Sequence, residues 1–186
     1  MRASPRGRTA GGRLVASDPT DCRFIHWAGR NPIYVVVENV RSLFNVGAIF
    51  RAADGVNAAA VYLTGFTGCP PRREISRVAL GAEASVPWSQ EDSTREVVDL
   101  LREQGVLVLA LERNDYSIDY RKSRLTFPVA IVVGHEVEGI RAETLERCDG
   151  VVHIPMLGSK DSLNVSVATG ISLYQLLTMK ESGDAR

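Results

Sequence analysis

Residues 154–177 read IPMLGSKDSLNVSVATGISLYQLL, an apolar helix pattern with an unusually polar entrance. Ser162 and Asn164 stand at that entrance, and the side chain of either one can cap the helix. Two apolar stripes at helical spacing follow, formed by Val167, Ile171 and Tyr174 or by Leu173, Leu176 and Leu177. Capping needs only one polar residue, so the remaining polar groups indicate a site that holds a polar ligand.

The composition is that of one globular domain. The chain has 186 residues, of which 45% are apolar and 24% charged. No apolar stretch reaches the 18 or more residues that a membrane span needs, so we expect a soluble protein. Asn31 begins the predicted domain, which extends to residue 180 and leaves 181–186 as a tail. Residues 1–30 are rich in Gly, Arg, Ser and Pro and are predicted to form a flexible lead-in.

The net charge gives no global attraction to nucleic acid, because 22 basic and 22 acidic side chains cancel. An RNA-binding role therefore needs a local basic patch. One candidate lies in the lead-in, and its arginines are Arg2, Arg6, Arg8, Arg13, Arg23 and Arg30. A second comprises Arg72, Arg73 and Arg77. Either patch can equally be solvated surface.

The cysteines and the N-terminus bear on the cellular compartment. Cys22, Cys69 and Cys148 are odd in number and lack the spacing of a zinc site or redox pair, which favours a reducing compartment. No apolar stretch of signal-peptide type follows the first arginines, so we expect a cytoplasmic protein. An Arg-rich leader that contains Ser also fits an organelle import signal.

Five β-rich runs alternate with helical patterns and predict an α/β fold with a mostly parallel sheet flanked by helices. The runs are residues 33–37, 58–63, 106–111, 129–134 and 151–155. One intervening helix has a capping box at Ser93 and Glu96 and an end at Gly105. Such sheets bind ligands beyond the carboxyl ends of their strands. The loops of interest are therefore 112–116, 134–140 and 155–162.

Common catalytic signatures are missing from the sequence. The chain has no G-x-G-x-x-G fingerprint after a strand, no P-loop and no G-x-S-x-G nucleophile elbow. His26, His135 and His153 are isolated from other metal-ligand residues, so no metal site is expected. The remaining chemistry is polar and has no obvious nucleophile.

A first polar insertion lies in the predicted helix after residue 44. Asn45 is placed as its N-cap, and an apolar stripe follows at Val46, Ile49, Phe50 and Ala53. Arg51 falls off that stripe. The small residues Gly47, Ala48 and Gly55 leave room for another backbone or a ligand to approach it. Arg51 can instead pair with Asp54 on the surface.

A second insertion follows the strand at 129–133. Gly134 allows a close turn, and Glu136 stands near the start of the next predicted helix. A carboxylate there can bind a ligand or cap the helix by accepting backbone N–H bonds. Glu138 is expected to be its solvated neighbour, and His135 an exposed loop residue rather than a catalyst.

These insertions resemble the three motifs of the SpoU/TrmH family of RNA ribose 2′-O-methyltransferases. The matching segments are N-x-G-x-x-x-R at 45–51, G-H-E-x-x-G at 134–139 and I-P-M-x-G-x-x-x-S-L-N-V-S-V-A at 154–168. The segment LGAEASVPW at 80–88 is also similar to the family's connecting segment. The resemblance runs from about Ile33 to Leu177, and its third motif is the most specific.

The resemblance implies a SPOUT-like fold with a deep C-terminal trefoil knot, an exception to the unknotted topology of most proteins. It also implies a homodimer with the final helix and the first-motif helix at or near the interface. S-adenosylmethionine would bind in the knot. Its expected contacts are Leu109, Ala110, Leu111, Gly134, Ile154, Met156 and Leu163.

The activity that the resemblance implies is methyl transfer from S-adenosylmethionine to a ribose 2′-hydroxyl of structured RNA, either tRNA or rRNA. The implied catalytic residues are Asn45, Arg51, Glu136, Ser162 and Asn164. Arg51 would act on the hydroxyl as base or as positioner. Because a guanidinium group stays protonated, we favour binding of the hydroxyl and the adjacent phosphate. Such transfer depends on alignment rather than on a metal.

Two other functions are compatible with the sequence. One is a non-catalytic RNA-binding module on the same fold, and the other is a nucleotide-binding enzyme unrelated to RNA. The segment before Asn31 is shorter than the small RNA-binding domain that many relatives carry. We therefore expect RNA recognition to use the lead-in, the patch of Arg72, Arg73 and Arg77, the dimer surface or a partner protein.

Overall fold

The computed structural model describes residues 29–123 and 125–183. Residues 1–28 of the predicted flexible lead-in, with its first five arginines, lie outside the described residues. Arg30 is described, and its guanidinium donates to the carbonyl oxygens of Ala58 and Ser85 at 3.3 and 2.5 Å and to Asn57 Oδ1 at 3.2 Å. Arg30 therefore fastens the start of the domain instead of extending the basic lead-in.

Seven parallel strands form one sheet in the order β3-β2-β1-β6-β4-β7-β5. Their bounds are β1 Asn31–Glu38, β2 Ala58–Thr64, β3 Trp88–Glu91, β4 Leu107–Leu111, β5 Ile118–Asp119, β6 Val129–Val133 and β7 Gly150–His153. This confirms the five predicted strands and the parallel sheet. The sequence reading missed β3 and β5, which are short and lack a continuous apolar run.

Buried side chains of alternating strand residues build a core on each face of the sheet, as expected when helices cover both faces. Ile33, Val35 and Val37 of β1 join one core, whereas Tyr34 and Val36 join the other. All five side chains are at most 1% exposed. The continuous apolar run of β1 is thus explained by burial on both sides.

Six α-helices and one short 3-10 helix connect the strands within the described residues. The α-helices are α1 Leu43–Gly55, α2 Arg73–Ala79, α3 Ala82–Ser85, α4 Thr94–Glu103, α5 Ala142–Leu145 and α6 Val165–Ser182. The predicted cap of α4 is confirmed, since Ser93 accepts a hydrogen bond from the Glu96 N–H. Helix α6 continues to Ser182, so the predicted tail after residue 180 begins inside a helix. No described helix has the length and apolar character needed to cross a membrane.

The direction in which the chain adds strands to the sheet reverses at the boundary between β1 and β6. Strands β2 and β3 extend from β1 to one edge, and β4, β7 and β5 lie beyond β6 toward the other. In open parallel sheets such a switch point opens a crevice at the carboxyl ends of the strands. Here the loops after β1 and β6, at 39–42 and 134–141, meet in that crevice.

Candidate functional site

A chain of hydrogen bonds at the switch point joins the three polar insertions. Glu136 Oε2 accepts from the Arg41 N–H at 3.1 Å. Its Oε1 accepts from the Ser42 N–H at 3.1 Å and from Asn45 Nδ2 at 2.9 Å. Asn45 Oδ1 in turn accepts from Asn164 Nδ2 at 3.1 Å. Hydrogen bonds between residues 91 to 119 positions apart in sequence thereby form one polar site.

The carboxylate of Glu136 is held in its charged form by this arrangement. Partial burial by itself raises the pKa, but the hydrogen bonds from the Asn45 side chain and from the Arg41 and Ser42 backbone act in the opposite direction and are together stronger. The net pKa of Glu136 therefore lies below its ordinary value. The position at the N-terminus of α1 adds a favourable helix-dipole interaction.

Two local predictions about caps require correction. Asn45 is not the N-cap of α1, because the cap is Ser42, whose Oγ accepts from the Asn45 N–H at 3.3 Å. With the helix starting at Leu43, the Asn45 side chain is free to join Glu136 and Asn164. Glu136 does bind backbone N–H groups, but those of Arg41 and Ser42 just before α1 rather than those of the following helix α5.

Asn164 has two structural roles at once. Its Oδ1 accepts from the N–H groups of Ser166 and Val167 at 2.9 and 3.4 Å, which confirms that Asn164 caps α6. Its Nδ2 donates to Asn45. One side chain therefore both begins the last helix and joins it to α1, which accounts for part of the polarity at the helix entrance.

Arg51 is exposed on α1. The alternative ion pair with Asp54 is absent from the described residues, and Asp54 Oδ1 instead accepts from Ser85 Oγ at 2.5 Å. The nearby glycines serve packing: a Cβ on Gly47 would lie 2.6 Å from a backbone oxygen of α2, and one on Gly55 would lie 2.8 Å from the Tyr174 hydroxyl. The guanidinium is thus available to an external anion.

A cavity opens at the carboxyl ends of β4, β6 and β7, where the sequence placed its three loops of interest. Six of its lining residues were predicted for the cofactor site or for catalysis: Leu111, Gly134, Ile154, Met156, Ser162 and Leu163. The other seven were not: Glu112, Arg113, Val133, His153, Asp161, Val165 and Ala168. Leu109 and Ala110, which were predicted to contact a cofactor, do not line it. They are 6% and 0% exposed inside β4, because they precede the carboxyl end of the strand.

Glu112 is the most informative residue that the sequence reading missed. It follows β4 directly, and its carboxylate accepts from the N–H groups of Ile140 and Arg113 at 3.1 and 2.9 Å. A polar residue at the carboxyl end of a predicted central strand was the available signal. Arg113 in turn reaches Asp161 Oδ1 at 3.4 Å, so this pair connects two sides of the cavity.

The turn between Gly134 and Gly139 is held very close to the sheet. The His135 and Gly139 backbones exchange hydrogen bonds of 3.1 and 3.0 Å. A Cβ on Gly134 would lie 2.5 Å from the Gly139 backbone, and Gly139 has a φ of +71° that favours glycine. Both glycines of the second insertion are therefore required by the shape of the turn that presents Glu136.

The described residues contain no cluster of three or more His, Cys, Asp or Glu side chains suited to a metal ion. His153 Nδ1 lies 2.9 Å from Ser117 Oγ. His135 departs from its prediction as a freely exposed residue, because it is half-buried and its Nδ1 accepts from the N–H groups of Val137 and Glu138 at 3.1 Å each.

The second basic patch is accessible. Arg72, Arg73 and Arg77 are exposed at α2, and none of them forms an ion pair or side-chain hydrogen bond with another described residue. Arg73 and Arg77 are four residues apart and share one helix face. Their charge is therefore open to an external partner.

Comparison with known proteins identifies the family. The sequence profile described as the SpoU rRNA Methylase family matches residues 32–174. The chain belongs to this family. Among its relatives, the 23S rRNA (guanosine-2'-O-)-methyltransferase RlmB of Vibrio parahaemolyticus is 36% identical over 149 residues, which are 80% of this chain and 60% of that protein. This chain thus spans less than two thirds of that relative.

Solved structures of a tRNA modifying enzyme and an rRNA methyltransferase share the fold. The TrmH/SpoU tRNA modifying enzyme of A. aeolicus matches with a TM-score of 0.75 and 29% identity over 83% of this chain and 79% of that chain. The AdoMet-bound rRNA methyltransferase of Sinorhizobium meliloti matches with a TM-score of 0.76 and 30% identity over 90% of this chain and 62% of that chain. The mostly parallel sheet flanked by helices is therefore the SpoU arrangement.

Proposed function

We propose that this chain transfers a methyl group from S-adenosylmethionine to a ribose 2′-hydroxyl of structured RNA, tRNA or rRNA. The hydrogen-bonded connection from Glu136 through Asn45 to Asn164 carries the proposal, because it joins the three SpoU motifs into one site. Membership of the SpoU rRNA Methylase family and the similarity to RlmB support both the reaction and the class of substrate.

The residues of the cavity fit S-adenosylmethionine. The lining combines apolar side chains with a few polar ones, as is typical of small-molecule sites. Leu111, Ile154 and Leu163 offer apolar surface for the adenine, and the Glu112 carboxylate complements a positively charged ligand. Ser162 lines this cavity two residues before Asn164 and would contact the ligand or the ribose. When bound, S-adenosylmethionine supplies an electrophilic sulfonium methyl group.

Arg51 is proposed to bind the phosphate beside the target ribose and to orient the 2′-hydroxyl. Its exposure and the absence of an ion pair with another described residue support this role. A guanidinium presents five fixed donors that suit a phosphate and is a poor proton acceptor. The hydroxyl proton would pass to water or to the phosphate itself.

Glu136 is proposed to organise the site rather than to remove the proton. Its two oxygens already accept three hydrogen bonds. Burial raises the pKa of Glu136, but its hydrogen bonds, chiefly the one from the Asn45 side chain, outweigh burial and lower the pKa. A carboxylate stabilised in this way is a weak base. Its bond to Asn45 fixes the amide, which then holds Asn164 at the start of α6.

The first test is methyl transfer from radiolabelled S-adenosylmethionine to separate pools of unmodified tRNA and rRNA, followed by digestion to nucleosides and mass spectrometry. A labelled 2′-O-methylnucleoside is the expected product and identifies the RNA class. Label on a base would overturn the ribose assignment. RNA binding without transfer, with cofactor binding confirmed, would favour the non-catalytic module.

A homodimer is proposed from an exposed apolar surface on α1 and α6. Phe44, Val167, Ile171 and Tyr174 are 53%, 50%, 36% and 54% exposed, although α6 buries its other face, including Leu173 and Leu176. Several exposed large apolar side chains on two helices favour an interface there. Light scattering should give twice the mass of one chain, and Ile171→Glu should give a monomer.

The trefoil knot and the domain limits are also proposals. The cavity is lined by the loop after β4 and by the segment that leads into α6, an arrangement that suits a C-terminal chain threaded through a loop. The match to SpoU structures supports this path. An experimental density map traced from residue 107 to residue 183 tests it. The domain is proposed to begin at Asn31 and to end with α6.

The compartment and the RNA-binding surface complete the proposal. A cytoplasmic location suits an enzyme of tRNA or rRNA, and Cys69 and Cys148 are free thiols. Cell fractionation tests this location. The exposed patch of Arg72, Arg73 and Arg77 is proposed to bind RNA phosphates. Replacing all three arginines with glutamine should weaken RNA binding and reduce its salt dependence.

A further inference from the structure

Phe66 is an exposed aromatic side chain beside the second SpoU motif. It is 59% exposed, although it lies between buried strand β2 and the fully buried Thr67. Its ring meets the His135 imidazole edge to face, with centroids 6.0 Å apart and planes at 76°. His135 is the residue directly before Glu136, so the exposed ring borders the candidate site.

The backbone around Phe66 is fixed, so the exposure is built into the fold. The Phe66 N–H donates to Asn39 Oδ1 at 3.2 Å, and Thr67 Oγ1 accepts from the Val40 N–H at 3.0 Å while donating to the Val37 carbonyl at 3.0 Å. These bonds fasten the loop after β2 to the loop after β1, the same segment that binds Glu136. Strand ends at the switch point thus hold an apolar ring toward solvent.

The imidazole of His135 adds a directed donor to this surface. Because its Nδ1 accepts two backbone N–H bonds, the proton of the neutral ring lies on Nε2. Nε2 has no hydrogen-bond partner among the described residues. An aromatic face next to an N–H donor is the combination that binds a nucleobase, by stacking and by a hydrogen bond to an acceptor on its edge.

We propose that Phe66 is the platform on which a nucleobase of the RNA substrate stacks, with His135 as its support and as a donor to the base. This inference rests on the proposed function and adds a base-binding site to it. Neither residue lines the cavity proposed for the cofactor, so the adenine of S-adenosylmethionine is not the base in question. Asn39, which accepts from the Phe66 N–H, and Glu136, which follows His135 in the chain, are polar neighbours of this segment and favour a nucleobase over the apolar surface of a second protein chain.

Stacking contributes about 1 to 3 kcal/mol per base, which corresponds to about 5- to 150-fold in affinity. Phe66→Leu keeps an apolar side chain and removes the aromatic face. With the rRNA or tRNA pool that the wild type methylates, we expect KM to rise about 5- to 150-fold with kcat changed less than about threefold, because the base is held equally in the ground and transition states. Phe66→Tyr should keep KM near the wild-type value.

The matched control is Tyr116→Leu, which removes another exposed aromatic ring, 67% exposed, from the loop after β4. Its KM should stay within about twofold of wild type. A Phe66→Leu variant with unchanged KM overturns the proposal. So does an equal loss in Tyr116→Leu, or a change in the mass of the Phe66→Leu protein by light scattering, which would show that the ring binds a second chain.

A fluorescence measurement separates this inference from the proposed reaction. In Phe66→Trp the added indole should be quenched when the tRNA or rRNA pool is titrated in, whereas wild-type fluorescence, from its two tryptophans, should change less. Quenching without methyl transfer by the wild type would contradict the proposed function and keep the stacking site. Methyl transfer without quenching would keep the function and remove the site.

Discussion

Replacing Glu136 with Gln tests whether one carboxylate holds the proposed active site together. In the wild type, Oε2 accepts from Arg41 N–H, and Oε1 accepts from Ser42 N–H and Asn45 Nδ2. The amide of Gln retains one acceptor oxygen and places an NH₂ group where the other oxygen stood. At least one N–H at the start of α1 then faces a donor, and the negative charge at the helix N-terminus is lost.

The expected loss of stability follows from these contacts. A hydrogen bond to a charged group contributes about 1.5 to 3 kcal/mol, and a charge at a helix N-terminus adds about 0.3 to 1 kcal/mol. Because Glu136 is exposed to solvent, the lower parts of these ranges apply, giving about 1 to 3 kcal/mol in all. For a chain of this length that loss lowers Tm by about 3 to 9 °C.

The assay is thermal unfolding by circular dichroism between pH 7 and pH 3. Burial alone would raise the pKa of Glu136, but its hydrogen bonds lower it below the ordinary value. The stabilisation is therefore complete above the unfolded pKa of about 4.3 and is lost as the pH falls through the lower folded pKa. The difference in Tm between wild type and Glu136→Gln should be full at pH 7 and shrink toward pH 3.

Glu138→Gln is the control, because the side chain of Glu138 is exposed and forms no hydrogen bond or ion pair with a described residue. Its Tm should match the wild type within about 1 °C. A Glu136→Gln protein as stable as wild type at pH 7, or a Tm difference that stays constant down to pH 3, would refute the assigned role of the carboxylate.

Three further predictions concern separate side chains. Asn164→Asp keeps the cap of α6 but loses the donor to Asn45. Tm should therefore change by less than about 3 °C while kcat falls at least tenfold. An unchanged kcat in a methyl-transfer assay would contradict the role of that bond. Arg51→Ala should leave the free energy of unfolding within about 0.5 kcal/mol of wild type and the cofactor affinity unchanged, because Arg51 is exposed. It should nevertheless lower kcat/KM at least tenfold, and full activity would disprove phosphate binding. Burial, with smaller effects of neighbouring charges, raises the pKa of Cys148 to about 12. Alkylation of Cys148 at pH 8, followed by peptide mass spectrometry, should therefore be at least 100-fold slower in the folded protein than in urea. Similar rates would show an accessible thiolate.

Local patterns in the sequence determined the type of most elements. Apolar runs such as residues 33–37 are long enough to predict strands buried on both faces, and Ser93 gives the start of α4 through its own side chain. The glycines at 134 and 139 and the polar entrance of α6 were also visible as departures from a simple core pattern. These features depend on neighbours in the chain and can be read without the tertiary structure.

Strand order and long-range hydrogen bonds needed the folded chain. Asn45 satisfies the sequence rule for a cap, yet Ser42 takes that place, and the Asn45 amide instead binds the carboxylate of Glu136, 91 residues away. The burial of Leu109 depends on strands that pair with β4 from distant parts of the sequence. Likewise, nothing local to Phe66 shows that its ring meets His135. The sequence by itself determined most of the secondary structure and most of the polar residues proposed for the site. The contacts between those residues arise from strand pairing across the sheet and were decided only by the tertiary structure.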